Sequence, residues 1–124
     1  MALLPSPLVA AIDRAKVLGI RAGAGSDHRF IGIWPVVVDR RVFARSWKQA
    51  ANGWYRTLLE DPLATIQVGD REYPVRAVRV RSERLRDALE AAYARKYPTP
   101  GSMKYVRGFR TARRRDTTIE FRRR

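Results

Sequence analysis

Residues 41–62 read RVFARSWKQAANGWYRTLLEDP and contain a strand, a basic aromatic loop and a short helix in succession. Over residues 41–47, small side chains alternate with large cationic and aromatic ones, a period of two that is typical of a β-strand. The small face suits a crowded interior, and the large face suits a ligand or a partner. A helix is predicted over residues 53–60, and Pro62 ends it because the residue before a proline is disfavoured in the helical conformation. A strand, a basic loop and a helix in this order indicate a binding site.

Further strands are predicted on both sides of this stretch. Residues 30–38, FIGIWPVVV, are almost continuously apolar, as expected of a strand buried on both faces. Pro35 cannot donate a ladder hydrogen bond, so a bulge or a local edge is expected at that position. Two hairpins and two short outer segments complete the set, with strands at residues 20–22, 41–47, 63–68, 72–80 and 117–121.

Helical spacing of apolar residues predicts one helix near each end of the chain. The N-terminal helix is expected over residues 7–18, with Ser6 as its cap, and the longest helix over residues 83–97. Residues 103–110 fit either a strand or a turn. The residues alone indicate a barrel or sheet with helices, in a single domain over residues 1–124 whose basic C-terminal end is 107–124.

The strong positive charge indicates an anionic partner. The chain has a net charge of +14, and since only four of its 26 cationic residues are lysine, the other 22 are arginine. Such a field attracts nucleic acid, acidic membranes or phosphorylated small molecules. The arginine excess has two readings: guanidinium groups that bind phosphate, or the codon preference of a GC-rich genome.

Composition also excludes several classes of site. Without cysteine there are no disulfides and no thiolate chemistry, and the single histidine, His28, excludes a multi-histidine metal cluster, so we expect no metal. No apolar run approaches the roughly 18 residues needed to span a bilayer, and the N-terminus lacks the positive region of a signal peptide. A cytoplasmic location with no membrane association is the expectation.

The candidate site is the basic aromatic stretch over residues 45–56. Cations can form charge-assisted hydrogen bonds to a phosphate, and flat aromatic rings can receive a planar ring system. The plainer alternative is that the tryptophans belong to the core and the cations are solvated. The side chains concerned are Arg45, Lys48 and Arg56 with Trp47, Trp54 and Tyr55. Ser46 lies on the small-residue face of the strand, where packing explains it better than a catalytic role.

Five segments together resemble a known group of proteins. They are VVVDRRVFARSW, WYRTLLEDP, IQVGDREYPVRAVRV, AYARKYPT and TTIEF. The sequence resembles small bacterial proteins of unknown function related to the split β-barrel flavin-binding superfamily, which includes pyridoxamine phosphate oxidases, flavin reductases and deazaflavin-dependent nitroreductases. The resemblance covers roughly residues 28–121.

This resemblance implies the fold class α+β, a six-stranded antiparallel split β-barrel with flanking helices. It also implies a homodimer that holds FMN or a deazaflavin in a groove at the dimer interface. Carried over by position, it assigns the cofactor phosphate to Arg45, Ser46 and Lys48, with Trp47 and Trp54 nearby. The superfamily often has Asn-Leu before an Asn-Pro-like helix stop, whereas this chain has Thr57-Leu58 and Asp61-Pro62 at these places.

The leading hypothesis is therefore a flavin- or deazaflavin-binding, oxidoreductase-like protein. Two alternatives remain from the residues: a non-enzymatic basic module for nucleic acid or another polyanion, and a split-barrel interaction protein with a vacant pocket. Against nucleic acid, the arginine-rich C-terminal end has no RNA-binding aromatic signature, recognition helix or zinc module. The sequence shows no reaction-specific set of residues.

Overall fold

The computed structural model describes residues 2–25 and 27–124, which form seven strands and five helices. The strands are β1 (Leu18–Ala22), β2 (Ile31–Ile33), β3 (Pro35–Val38), β4 (Arg41–Ala44), β5 (Leu63–Val68), β6 (Arg71–Arg79) and β7 (Ile119–Arg123). The helices are α1 (Ser6–Arg14), α2 (Trp54–Glu60), α3 (Glu83–Lys96), α4 (Pro100–Gly108) and α5 (Ala112–Arg115). No helix within these described ranges is long and apolar enough to cross a membrane.

All strands pair in antiparallel fashion, in the order β2-β1-β5-β6-β7-β4-β3. The sheet curls into a nearly closed split barrel with helices on its flanks, which confirms the expected α+β class. The strand number differs from expectation because the strand predicted over residues 30–38 is divided between β2 and β3. β2 pairs with β1, whereas β3 pairs with β4 at the opposite edge of the sheet.

The change of partner takes place at Trp34, and we call Trp34 and Pro35 the strand switch. Proline lacks the N–H that would continue a ladder, so the chain can leave one edge of the sheet and join the other at this point. The irregularity predicted at Pro35 is this change of partner. At the switch, the carbonyl groups of Trp34 and Pro35 accept hydrogen bonds from side chains, since a buried carbonyl without a donor from a neighbouring strand needs another partner.

Side chains from the end of α3 supply these partners. The Tyr93 hydroxyl donates to the Trp34 carbonyl at 2.8 Å, and Lys96 Nζ and the Tyr97 hydroxyl donate to the Pro35 carbonyl at 2.9 and 3.2 Å. Burial raises the pKa of Tyr93 and of Tyr97, so both keep the proton that they donate. The last turn of α3 therefore holds the strand switch in place.

Two apolar clusters lie on opposite faces of β4. Val42 and Ala44 belong to the barrel interior, where they pack with β1, β5, α1 and α2. Phe43 points the other way and is fully buried in a second cluster with α3 and α4. The small face is therefore interior, as predicted. The large face was expected to suit a ligand, but α3 covers Phe43, and Arg41 forms a 2.7 Å ion pair with the buried Glu120.

The helix predictions needed two corrections. The N-terminal helix ends at Arg14 rather than residue 18, because Ala15 is already extended and Leu18 starts β1. Residues 103–110, expected as strand or turn, lie mainly in α4, where Pro100 stands in the first turn and the Thr99 side chain accepts a hydrogen bond from Ser102 N–H. Proline is as favourable at the start of a helix as it is unfavourable inside one.

Lys96 generates a prediction about pH. Its Nζ also donates to the Ile12 carbonyl at 3.1 Å, and burial lowers the pKa of Lys96 from 10.5 to about 8. The unfolded chain therefore binds more protons than the folded chain between about pH 8 and 10.5, so stability should rise with pH across this interval. Allowing for partial solvent screening, we expect a gain on the order of 1 kcal/mol between pH 7 and 9.5.

Guanidinium unfolding at successive pH values measures this gain. The rise should disappear in Lys96→Met, which should also be less stable at pH 7 because two carbonyls lose a donor. Lys104→Met, on the exposed side of α4, should keep the wild-type slope. Equal slopes in wild type and Lys96→Met would contradict the assignment to Lys96.

Candidate functional site

A groove of about 630 Å³ opens between the strand switch, the loop after β4 and helix α4. Its volume lies within the range of roughly 300–1,000 Å³ that is usual for small-molecule sites. The lining is mainly apolar and contains five aromatic residues, namely Trp34, Trp47, Trp54, Tyr105 and Phe109. The groove is thus large enough for a fused ring system and offers flat faces to it.

The aromatic residues hold one another in position. Trp34 stacks on Tyr97 with ring centroids 4.2 Å apart and planes inclined by only 8°. Tyr105 meets Trp34 and Trp47 edge-on, at 5.5 and 5.0 Å, and Phe109 meets Trp47 edge-on at 5.6 Å. Such stacked and T-shaped pairs are the favoured aromatic geometries. The walls of the groove are therefore preformed.

Trp47 is held most tightly. The Arg114 guanidinium lies over its ring at 3.6 Å, and Arg114 Nε donates to the Trp47 carbonyl at 3.0 Å. On α4, the backbone of Gly108 approaches so closely that a Cβ there would lie 2.3 Å from two ring carbons of Trp47. A residue with a side chain at position 108 would displace the indole.

The groove also offers hydrogen-bond donors. In residues 2–25 and 27–124, the indole N–H groups of Trp34, Trp47 and Trp54 donate to no protein acceptor, and no buried side-chain nitrogen is left unsatisfied. These three N–H groups therefore reach solvent, and carbonyl oxygens of a bound ring are suitable acceptors for them.

Arg45 has a structural role that the sequence did not suggest. Its side chain is completely buried and donates to Thr118 Oγ1, to the Phe109 carbonyl and to the Arg86 carbonyl, at 2.9, 2.8 and 3.0 Å. It also lies 3.6 Å from the carboxylate of Glu90. Burial lowers the pKa of Arg45. Arg45 touches the groove lining, but its guanidinium is engaged in joining α3 to the C-terminal segment.

The other five predicted residues divide between the groove and its support. Trp47, Trp54 and Lys48 line the groove, with Lys48 exposed at the rim. Ser46 is buried behind the lining, where its Oγ donates to the Lys48 carbonyl and holds the loop. Arg56 is exposed on α2 outside the lining. The structure thus brings four of the six residues predicted to bind the cofactor, including Arg45, to the groove. Tyr55, also named in the basic aromatic stretch, is buried in the barrel core, and its hydroxyl donates to the Asp116 carbonyl.

Asp61, which replaces the Asn-Pro-like stop of the superfamily, lies outside the groove lining. Its carboxylate accepts hydrogen bonds from the backbone N–H of Ala24 at 2.9 Å and of Leu63 at 3.1 Å, and these bonds lower the pKa of Asp61. The acid therefore ties the glycine-containing loop after β1 to the end of α2. Within the described residues, no group of histidine and acidic side chains is arranged to hold a metal ion.

Three aromatic residues of the lining were missed from the sequence: Trp34, Tyr105 and Phe109. Trp34 was read as part of a buried strand, although a tryptophan directly before a proline marks the point where the strand changes partner. Tyr105 and Phe109 are four residues apart, which places them on one face of a helix, but α4 was not predicted as a helix. If Thr99-Pro100 is recognised as the start of a helix, Tyr105 and Phe109 are predicted to lie on one face of that helix.

The structural role of Arg45 can be tested by substitution. Arg45→Met leaves three acceptors without their buried donor and removes one of the two cations beside the Glu90 carboxylate, so we expect a loss of about 3 kcal/mol or more in the free energy of unfolding. Arg56→Met, on an exposed surface, should change stability by about 0.5 kcal/mol at most. Urea unfolding of both variants is the measurement. If Arg45→Met is as stable as Arg56→Met, the hydrogen bonds of Arg45 do not stabilise the fold, and the structural role assigned to Arg45 is wrong.

Two glycines of α4 provide a matched pair of variants. Gly108→Ala should drive the Trp47 indole from its place, change the near-ultraviolet circular dichroism of the tryptophans, and cost about 1–3 kcal/mol through overpacking. Gly101→Ala meets nothing within 4 Å and should leave both properties nearly unchanged. Identical spectra for the two variants would show that Trp47 does not depend on the glycine.

Comparison with known proteins gives a family and a fold. Residues 9–121 match the model of a family described as an uncharacterized protein conserved in bacteria, DUF2255. No curated protein gives a significant match. Among solved structures, the chain is similar to an F420-H2 dependent reductase, with 16% identity, a TM-score of 0.59, and coverage of 86% of this chain and 93% of the other.

Two further structures share the architecture. A putative pyridoxamine 5'-phosphate oxidase from Listeria innocua is 9% identical with a TM-score of 0.60, covering 93% of this chain and 87% of the other. A FAD-binding protein from Mesorhizobium loti is 11% identical with a TM-score of 0.56, covering 98% and 89%. At such identities the likeness shows the shared fold. Because the family model spans most of the chain, this protein is a member of the DUF2255 family.

Proposed function

We propose that the aromatic groove binds a flavin or deazaflavin cofactor and that the protein is oxidoreductase-like. The observation that carries the proposal is the groove itself, a preformed apolar space of about 630 Å³ with three tryptophans in its lining. The fold supports it, because structures with this architecture include a reductase that depends on F420-H2 and a protein that binds FAD. These neighbours differ in their cofactors, so the kind of cofactor has to be argued from the residues that line the groove.

The residues present fit a planar, partly polar ring. The faces of Trp34 and Trp47 and the edge of Tyr105 enclose a flat ligand, and the indole N–H groups can donate to ring carbonyls. When bound, such a cofactor supplies the electron- or hydride-transfer chemistry. The chain contributes binding, orientation and exclusion of water from the apolar part of the groove.

The cofactor phosphate belongs, in this proposal, to the basic aromatic loop over residues 45–56. Lys48 is the loop cation best placed for it, since it is exposed at the rim and no described acidic side chain pairs with it. Arg45 and Ser46 act by holding the loop from below. Arg56 lies beyond the lining and could reach only a ligand that extends over α2.

A homodimer is part of the same proposal. Ile31 and Val17 are large apolar residues that are about half exposed, at 51% and 52%. Ile31 belongs to β2, one of the two edge strands of the sheet, and it also borders the groove. A second copy that covered this edge would enclose the open side of the cofactor site. The polyanion-module alternative gains no specific support from the groove, whose lining is mainly apolar.

Cofactor titration tests the proposal. FMN and a deazaflavin should each be added to purified protein while tryptophan fluorescence is recorded, and quenching that saturates is the expected result for at least one of them. Tyr105→Ala should weaken binding about tenfold, because one aromatic wall is lost. Leu59→Ala removes an exposed apolar side chain elsewhere and should not change the affinity.

Absence of saturable binding for both cofactors would reject the proposal. Sedimentation velocity on the same samples tests the dimer: a monomer at every concentration, with and without cofactor, would remove that part while leaving the ring site open.

A further inference from the structure

A second depression, of about 390 Å³, adjoins the groove at its rim. It lies between the loop after β4 and helix α5, and it shares Trp47, Lys48 and Ala50 with the groove. We call this depression the arginine shelf, after the remaining charged residues of its lining, Arg113 and Arg114. A ligand in the groove could therefore extend directly onto the shelf.

The shelf is positively charged throughout. Its lining contains Lys48, Arg113 and Arg114 and no acidic residue. The next arginine of α5, Arg115, has the opposite surroundings, since its guanidinium forms ion pairs with Glu83, Asp87 and Glu90 of α3. These three acidic side chains therefore pair with Arg115, and no described acidic side chain forms an ion pair with Arg113 or Arg114.

The cations of the shelf are partly preorganised. The Arg114 guanidinium lies over the Trp47 ring at 3.6 Å. Its Nε and one terminal nitrogen donate to backbone carbonyls, and its other N–H donors have no acceptor among the described residues. Gln49 Nε2 donates to the Arg113 carbonyl at 3.1 Å and joins α5 to the loop. Arg113 and Lys48 are exposed, and no acidic partner for either exists among the described residues.

We propose that the arginine shelf binds the terminal phosphate monoester of the ligand whose ring occupies the aromatic groove. Guanidinium groups bind phosphate oxygens through two parallel hydrogen bonds, and a phosphate dianion matches several converging cations. Trp47 lies at the boundary, since it forms a T-shaped pair with Tyr105 and lies beneath the Arg114 guanidinium, so the ring site and the anion site are adjacent. The assignment extends the phosphate contacts from the loop to α5, and for the ring it rests on the proposed function.

The competing explanation is that these arginines are ordinary solvated residues of an arginine-rich chain. The two explanations differ in what a phosphate adds to binding. FMN and riboflavin have the same ring system and differ in the terminal phosphate, so their relative affinity isolates the shelf from the groove. Solvated arginines would give both ligands the same dissociation constant.

The experiment compares FMN and riboflavin on four proteins. Wild type should bind FMN at least tenfold more tightly than riboflavin. Arg113→Gln and Lys48→Gln should each raise the dissociation constant of FMN about tenfold and leave that of riboflavin within about twofold. Arg110→Gln removes an equally exposed arginine outside the lining and should behave as wild type. Equal affinity for FMN and riboflavin in wild type would overturn the shelf while the ring site stands.

If neither FMN nor riboflavin binds, the shelf is tested without a flavin, and the deazaflavin titration decides the proposed function separately. Inorganic pyrophosphate is then titrated into the protein, and the backbone amides of residues 47–50 and 111–115 are followed by NMR. Saturable shifts confined to these segments, and lost in Arg113→Gln but kept in Arg110→Gln, would support the shelf. No shifts, or shifts spread over all exposed arginines, would overturn it.

Discussion

The structure depends on the strand switch at Trp34 and Pro35. One strand must leave β1 and join β4 without a turn, and this leaves two backbone carbonyls that the sheet cannot satisfy. Lys96 and Tyr97 donate to the Pro35 carbonyl, and the hydroxyl of Tyr93 donates to the Trp34 carbonyl. The same hydroxyl accepts from the N–H of Arg45 just beyond β4. The buried hydroxyl of Tyr93 therefore bridges the residue that follows β2 and the residue that follows β4.

The groove is a consequence of the same switch. Trp34 and Arg45 both line it, and they follow directly the points where β2 and β4 end. Because Arg45 also donates to the carbonyls of Arg86 and Phe109, α3 and the segment after α4 are fixed to the loop that carries Trp47 and Lys48. The buried guanidinium of Arg45 positions this loop, and its hydrogen-bond acceptors come from parts of the chain that are far apart in sequence.

The sequence predicted the sheet better than the site. Alternation and turn residues are local, so residues 63–68 and the hairpin after them were placed correctly, whereas the division of 30–38 depends on pairing with two distant strands. Arg45 was selected correctly as a residue of the site region, but its partners lie 41 to 73 positions away, so no spacing rule could reveal its burial. Tyr105 and Phe109 were missed for a different reason: a local helix-start signal was present at Thr99-Pro100, but residues 103–110 were expected as a strand or a turn.

The same distinction between local pattern and distant contact applies to the arginine excess. In the sequence, Arg113, Arg114 and Arg115 form one basic run, and composition offers no means of separating them. In the fold, Arg115 faces three carboxylates of α3, Arg114 lies on the Trp47 ring, and Arg113 is exposed beside Lys48. The free energy available for binding an anion is largest where a cation is held in place yet not neutralised. A net charge of +14 is therefore a poor guide to function, and the placement of acidic neighbours identifies which cations can act.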